Sequence, residues 1–293
     1  MTEAGVVAEV RRLEIKSRHL VKDVLAGEYS SVFRGRGVEV AEVREYQYGD
    51  DVRTIDWRVT ARTGTAHVRR YVEERELTVL FLVDQSASGA FGSRVRTKAA
   101  LATEVCAVLA LAAARNNDRV GAVLFTDRVE QVVLPQKGKR HVLRVIRELL
   151  AFRPRHPGTD LRAALEFVNR VLRRRAVVFV VSDWLAAGYE SELERTARRH
   201  DTIAVQLVDR RERDVPDVGL LVMRDPESGV WRYLDTGDGA TRDAFRDQGA
   251  AFDAGLRREL RRRGVDLIGL ETERDYVPAL LSFFRSRAHA RAH

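Results

Sequence analysis

Apolar positions fall into two spacings along this chain. Thr78–Asp84 and Ala176–Ser182 are nearly unbroken apolar runs rich in β-branched residues. Runs of that kind read as strands buried on both faces, as in a parallel sheet. Val120–Phe125, Thr202–Val208 and Val265–Leu270 read the same way, and Val129–Leu134 is a further strand after the turn at Asp127-Arg128. Helical spacing occupies the intervals: an Ala-rich helix over Lys98–Arg115, then His141–Phe152, Asp160–Leu172, Glu190–Arg199, Asp243–Arg263 and Val277–Arg285. Strands alternating with helices predict an α/β fold with a mostly parallel sheet covered on both faces. Leu220–Arg224 and Val230–Asp235 flank Pro226-Glu227-Ser228-Gly229 and predict an inserted β-hairpin.

The amino-terminal part has a different texture. Val6, Val10, Leu13, Leu20 and Val24 predict a helix from Val6 to Ala26, with Gly27 as its stop. From Ser30 to Glu76, glycines interrupt short β-prone pieces dense in charge. The expected organisation is an extension over residues 1–76, the main α/β domain over 77–287 and a frayed basic tail over 288–293.

Composition narrows the function classes. A chain of 293 residues with 45% hydrophobic and 32% charged residues suits a globular protein with a sizeable core. The longest apolar runs fall far short of the roughly 20 residues of a membrane helix, and the start has no apolar signal core, so a cytoplasmic location is expected. The single cysteine, Cys106, excludes an internal disulfide and sits in an apolar helix, as a structural thiol does. The net charge of +8 raises nucleic acid as a partner. Only Lys16, Lys22, Lys98, Lys137 and Lys139 are lysines, however, and the arginine clusters Arg173–Arg175 and Arg261–Arg263 lie at predicted helix ends, where cations suit the carbonyl-rich terminus. No nucleic-acid partner is expected.

Three polar clusters carry candidate chemistry. The first apolar strand ends in Asp84, Ser86 and Ser88, an all-oxygen D-x-S-x-S set suited to a hard cation such as Mg²⁺. A glycine turn, Pro157-Gly158, presents Thr159 at the start of a helix, where it could also be a simple cap. A second apolar strand ends in Asp183. In a parallel sheet both strands end on one edge, where open α/β folds place their ligand sites. Asp84 and Asp183 then meet, and two like charges at close range call for a cation.

This set resembles the metal-ion-dependent adhesion site of von Willebrand factor A domains, with Asp84, Ser86, Ser88, Thr159 and Asp183 in that family's order. The resemblance implies a von Willebrand factor A-like, Rossmann-like sheet and a Mg²⁺ or Mn²⁺ shell with one position open to a partner's carboxylate. A wider resemblance is carried by Gly35–Tyr46, Gly49–Trp57, Ala61-Arg62-Thr63, Asp118–Gly121, Arg199-His200-Asp201 and Leu281–Arg285. Together these are similar to the bacterial family called domain of unknown function 58. Membership implies a non-enzymatic adaptor that assists a MoxR-type AAA+ ATPase in protein assembly or metal-cofactor insertion. Gly89 departs from the methionine common in that family; it is not a ligand, so the site stands while the adjacent loop changes shape.

Other patterns are weaker. Tyr48-Gly49-Asp50-Asp51 reads as a plain turn, the seven histidines have no zinc spacing or triad, and no Walker-type phosphate loop is present. Two rival functions are a metal-dependent hydrolase, which lacks an evident general base, and an RNA-binding protein using its arginines. The alternating charges from Arg44 to Arg62, with Tyr46, Tyr48 and Trp57 among them, fit either a self-satisfied network or an interaction face.

Overall fold

A computed structural model of the chain describes residues 3–20, 26–33, 39–72, 76–92 and 95–292. The Gly35–Val38 part of the signature segment and His293 lie outside the described residues. Two compact units are present: Met1–Val32 with Thr78–His293, and Phe33–Leu77. The first helices therefore group with the main domain, although sequence alone assigns them to one extension with the segment that follows.

The larger unit holds helices α1 (Glu3–Leu20) and α2 (Ala26–Phe33). Of the helix predicted over Val6–Ala26, the stretch to Leu20 is α1 and residues 21–25 lie outside the described residues; Gly27, read as a stop, instead lies in the first turn of α2. That helix buries a second apolar set, since Tyr29, Val32 and Phe33 are all almost fully buried. The smaller unit pairs β1 (Glu39–Glu45) with β2 (His67–Val72) around α3 (Trp57–Thr63). The reading of this segment as turns and short strands missed α3. Its signals were local: Asp56 caps the first turn through bonds from the Arg58 and Val59 amides, and Gly64, at φ 78°, ends it.

In the larger unit the elements follow as β3 (Thr78–Asp84), α4 (Lys98–Arg115), β4 (Arg119–Phe125), β5 (Val129–Gln136), α5 (Lys139–Ala151), α6 (Leu161–Val171), β6 (Val177–Ser182), α7 (Glu190–Arg199) and β7 (Asp201–Val208). The hairpin β8 (Leu220–Arg224) and β9 (Trp231–Asp235) precedes α8 (Gly239–Arg262), β10 (Asp266–Glu271) and α9 (Val277–Ala292). The central sheet has six strands in the order β10-β7-β6-β3-β4-β5. All neighbours are parallel except β4 and β5. This is the doubly wound α/β order with its polarity reversed at one edge.

β3 is buried on both faces, as its unbroken apolar run predicts. On one side Leu80, Leu82, Val178 and Val180 pack against Leu165, Val168, Leu193, Leu256 and Leu260 of α6, α7 and α8. Pleating turns the alternate residues the other way, where Phe81 stacks on Phe179 at 5.5 Å. α4 is apolar almost all round and accordingly buried. Within it, Cys106 is fully buried, and burial alone pushes its thiol far above the ordinary range, as a structural thiol requires.

The carboxyl-terminal tail is a second correction. α9 continues to Ala292 instead of fraying near Arg285. Just before the predicted tail, Arg287 pairs with Asp201 and, at 3.1 Å, with Asp266.

Candidate functional site

The carboxyl edge of the central sheet gathers the predicted site residues. β3 and β6 pair in parallel with Val83 beside Val181, so Asp84 and Ser182–Asp183 leave the sheet side by side. Asp84 Oδ1 accepts the Ser86 amide at 2.9 Å, and its Oδ2 accepts the Ser182 hydroxyl at 2.8 Å. The Ser86 and Ser88 hydroxyls lie 3.0 Å apart. Burial, and then the charge of Asp183, push the Asp84 carboxyl up to about 6, against the hydrogen bonds from Ser86 and Ser182. Four of the five residues thus sit in one neighbourhood.

Thr159 reaches the same edge on a separate loop. The Ala87 amide donates to the Pro157 carbonyl at 2.8 Å, which ties that loop to the serine turn. Thr159 is not the helix cap; that position belongs to Asp160, whose side chain accepts the Ala163 amide. The Thr159 hydroxyl instead donates to Glu227 Oε1 at 2.9 Å. Glu227 is at the turn of the β8–β9 hairpin, a residue that sequence reasoning used only to mark a turn.

A second missed residue is Lys98. Its ammonium is buried and lies 2.7 Å from Asp183 Oδ2 and 2.6 Å from Glu212 Oε1. Burial works against its charge, but the two carboxylates outweigh burial and hold its pKa above the ordinary lysine value. Glu212 also closes a capping box with Asp209, which accepts the Thr272 hydroxyl at 2.6 Å. A lysine in the first turn of a helix opposes the helix dipole only weakly, so no local signal marked it; its burial between two distant acids did.

Trp184 fixes how the chain leaves β6. It is buried at φ 65°, a conformation rare for a bulky residue, and is held by its indole donating to the Val205 carbonyl at 3.3 Å. Its amide returns to Ser182 Oγ at 3.1 Å, and the Leu185 amide donates to Asp183 Oδ1 at 3.2 Å. Both acids of the edge are therefore oriented by backbone amides.

The donors are all oxygens: carboxylates of Asp84 and Asp183, and hydroxyls of Ser86, Ser88 and Thr159. That chemistry fits a hard cation. Among the described residues no three His, Cys, Asp or Glu side chains come together as a metal cluster, so the hydroxyls are indispensable to any such site.

The family model described as "Protein of unknown function DUF58" matches residues 42–254. The chain belongs to that family. An "Uncharacterized protein Rv1480" of Mycobacterium tuberculosis is 35% identical over 286 residues, covering 96% of this chain and 90% of that one. Among solved structures, an aerotolerance-related membrane protein from Bacteroides fragilis aligns at 13% identity and a TM-score of 0.47, covering 73% of this chain and 99% of that one. The SpRpn10 VWA domain aligns at 12% identity and a TM-score of 0.38, covering 71% of this chain and 95% of that one. The doubly wound α/β class rests on the strand order of the sheet and its antiparallel edge. Among the described residues of this family member, no helix is long and apolar enough to cross a membrane.

Proposed function

We propose that this DUF58 protein is a non-enzymatic, metal-gated binding module of cytoplasmic location. Asp84, Ser86, Ser88, Thr159 and Asp183 would hold Mg²⁺ or Mn²⁺, and the cation would supply an attachment point for a partner's carboxylate. One observation carries this reading. Two acids are buried side by side among hydroxyls, with Asp84 pushed up to about 6 by burial and by Asp183. Lys98 already pairs with Asp183, so the charge left to relieve is that of Asp84; a metal cation would relieve it, and an anionic side chain could then bind where it would otherwise be repelled.

The class of partner we propose is a MoxR-type AAA+ ATPase or the client it remodels, in protein assembly or cofactor insertion. An enzyme is disfavoured because Asp183 and Glu212 are already paired with Lys98 and Asp84 would be a poor general base once bound to a cation. An RNA-binding surface is disfavoured because several surface arginines sit in local ion pairs, such as Arg162 with Glu166 and Arg198 with Glu194.

The test is affinity capture from a lysate of the source organism in Mg²⁺ and in EDTA, read by mass spectrometry. An AAA+ ATPase retained in Mg²⁺ and lost in EDTA supports the reading. Retention that ignores EDTA, or that Thr159→Ala leaves unchanged, overturns it.

A further inference from the structure

The loop bearing Thr159 and the hairpin bearing Glu227 are far apart in sequence, yet they meet in a side-chain hydrogen bond of 2.9 Å. The hairpin is built to present that acid. Asp225 Oδ1 accepts the Glu227 and Ser228 amides at 2.9 and 3.2 Å, and Gly229 at φ 73° closes the turn. At the base, Thr236 donates to the Gly219 carbonyl at 2.7 Å and accepts the Val218 amide at 3.0 Å. The acid is thus held by a shaped turn at one end and an anchored stem at the other.

The stem itself is lightly held. β8 and β9 form a sheet of two strands only, and such a ribbon is marginal alone. Leu220, Val222, Trp231 and Tyr233 are all exposed on it. The carboxylate accepts the Thr159 hydroxyl hydrogen and so fixes which way that oxygen's lone pairs face. Its placement on the hydroxyl of Thr159 is a specific choice.

We propose that Glu227 is a positioning residue for the candidate metal site: by taking the hydrogen of the Thr159 hydroxyl, its carboxylate leaves the lone pairs of that oxygen to the cation. This rests on the metal reading given above. Residues that support a metal-donating side chain typically change metal affinity by about 10- to 100-fold, which sets the scale of the effect.

The experiment uses the full chain and Mn²⁺ as the probe. Binding is measured by titration calorimetry for wild type, Glu227→Gln, Thr159→Ala and the double variant, with amide hydrogen exchange of residues 220–235 followed in parallel. The turn is shaped by Asp225 and Gly229, so Glu227→Gln keeps the hairpin. The expected results are about a tenfold loss of Mn²⁺ affinity in Glu227→Gln, a double variant no worse than Thr159→Ala, and Mn²⁺-induced protection of the hairpin in wild type alone. Unchanged Mn²⁺ affinity and exchange in Glu227→Gln, with wild type binding normally, overturn the positioning role of Glu227 and leave the metal site standing. Absence of Mn²⁺ binding in wild type removes the metal site itself, and the inference with it.

Discussion

The ammonium of Lys98 lies 2.7 Å from the carboxylate of Asp183, with both side chains buried. The pair joins the first turn of α4 to the end of β6, and Glu212 extends it to the segment after β7. Three separate parts of the chain therefore depend on one cation. Removing one partner of a buried pair leaves the other charged and unsolvated, which typically costs 3–5 kcal/mol. Lys98→Met is expected to lose about 3 kcal/mol in urea unfolding in EDTA, and a loss below about 0.5 kcal/mol would mean the acids are satisfied without it.

Asp84 is expected to behave in the opposite sense. Its carboxyl is raised to about 6, so the folded state holds a proton more tightly than the unfolded chain does. That contribution is full below the unfolded value near 3.8 and is lost as pH rises through about 6. At pH 7.5 the metal-free protein therefore carries a buried charge offset only in part by the hydrogen bonds from Ser86 and Ser182. Asp84→Asn should stabilise the fold in EDTA by on the order of 1–3 kcal/mol, read as a higher melting temperature, and abolish any stabilisation by Mg²⁺. A destabilised variant in EDTA would show that the carboxylate is needed for the fold.

His200 sets an acid limit on stability. It is buried at the end of α7, and neither ring nitrogen has a hydrogen-bond partner among the described residues. Burial first, then Arg199 and Arg175, lower its pKa from 6.5 to about 4. Above pH 6.5 both folded and unfolded forms are neutral. As pH falls from 6.5 toward 4, the unfolded chain takes up a proton that the folded one refuses, and stability drops across that window. Chemical denaturation at pH 7.5 and pH 4.5 should show a smaller difference for His200→Leu than for wild type; an equal difference refutes this assignment.

Gly121 is required for close approach at the sheet edge. A Cβ there would stand 2.7 Å from the Val133 carbonyl oxygen and 2.8 Å from the Pro135 nitrogen. Both are backbone atoms of β5, which passes β4 with a register shift between Val120 and Ala122. Gly121→Ala should cost about 1–3 kcal/mol as overpacking does, seen as a lower melting temperature. A melting temperature within about 1 °C of wild type would mean the edge strand moves freely, since 1 kcal/mol shifts a domain of this size by a few degrees.

Local patterning by itself determined the elements of the sheet and its helices, because a strand buried on both faces must be apolar throughout and a covering helix must be apolar on one side. β3, α4 and α7 lie where their spacing put them, and Asp84, Ser86 and Ser88 were legible because they interrupt an apolar run at its end. The edge shared by Asp84 and Asp183 followed once the sheet was parallel. Tertiary structure decided the rest, since it depends on which distant residues meet. Lys98 looks like any first-turn lysine until Asp183 and Glu212 enclose it, and Glu227 looks like any turn residue until Thr159 donates to it. Helix α2 and the end of α9 formed where the spacing was weak, because burial of Tyr29 and Phe284 and the pairing of Arg287 supply free energy that no local window contains.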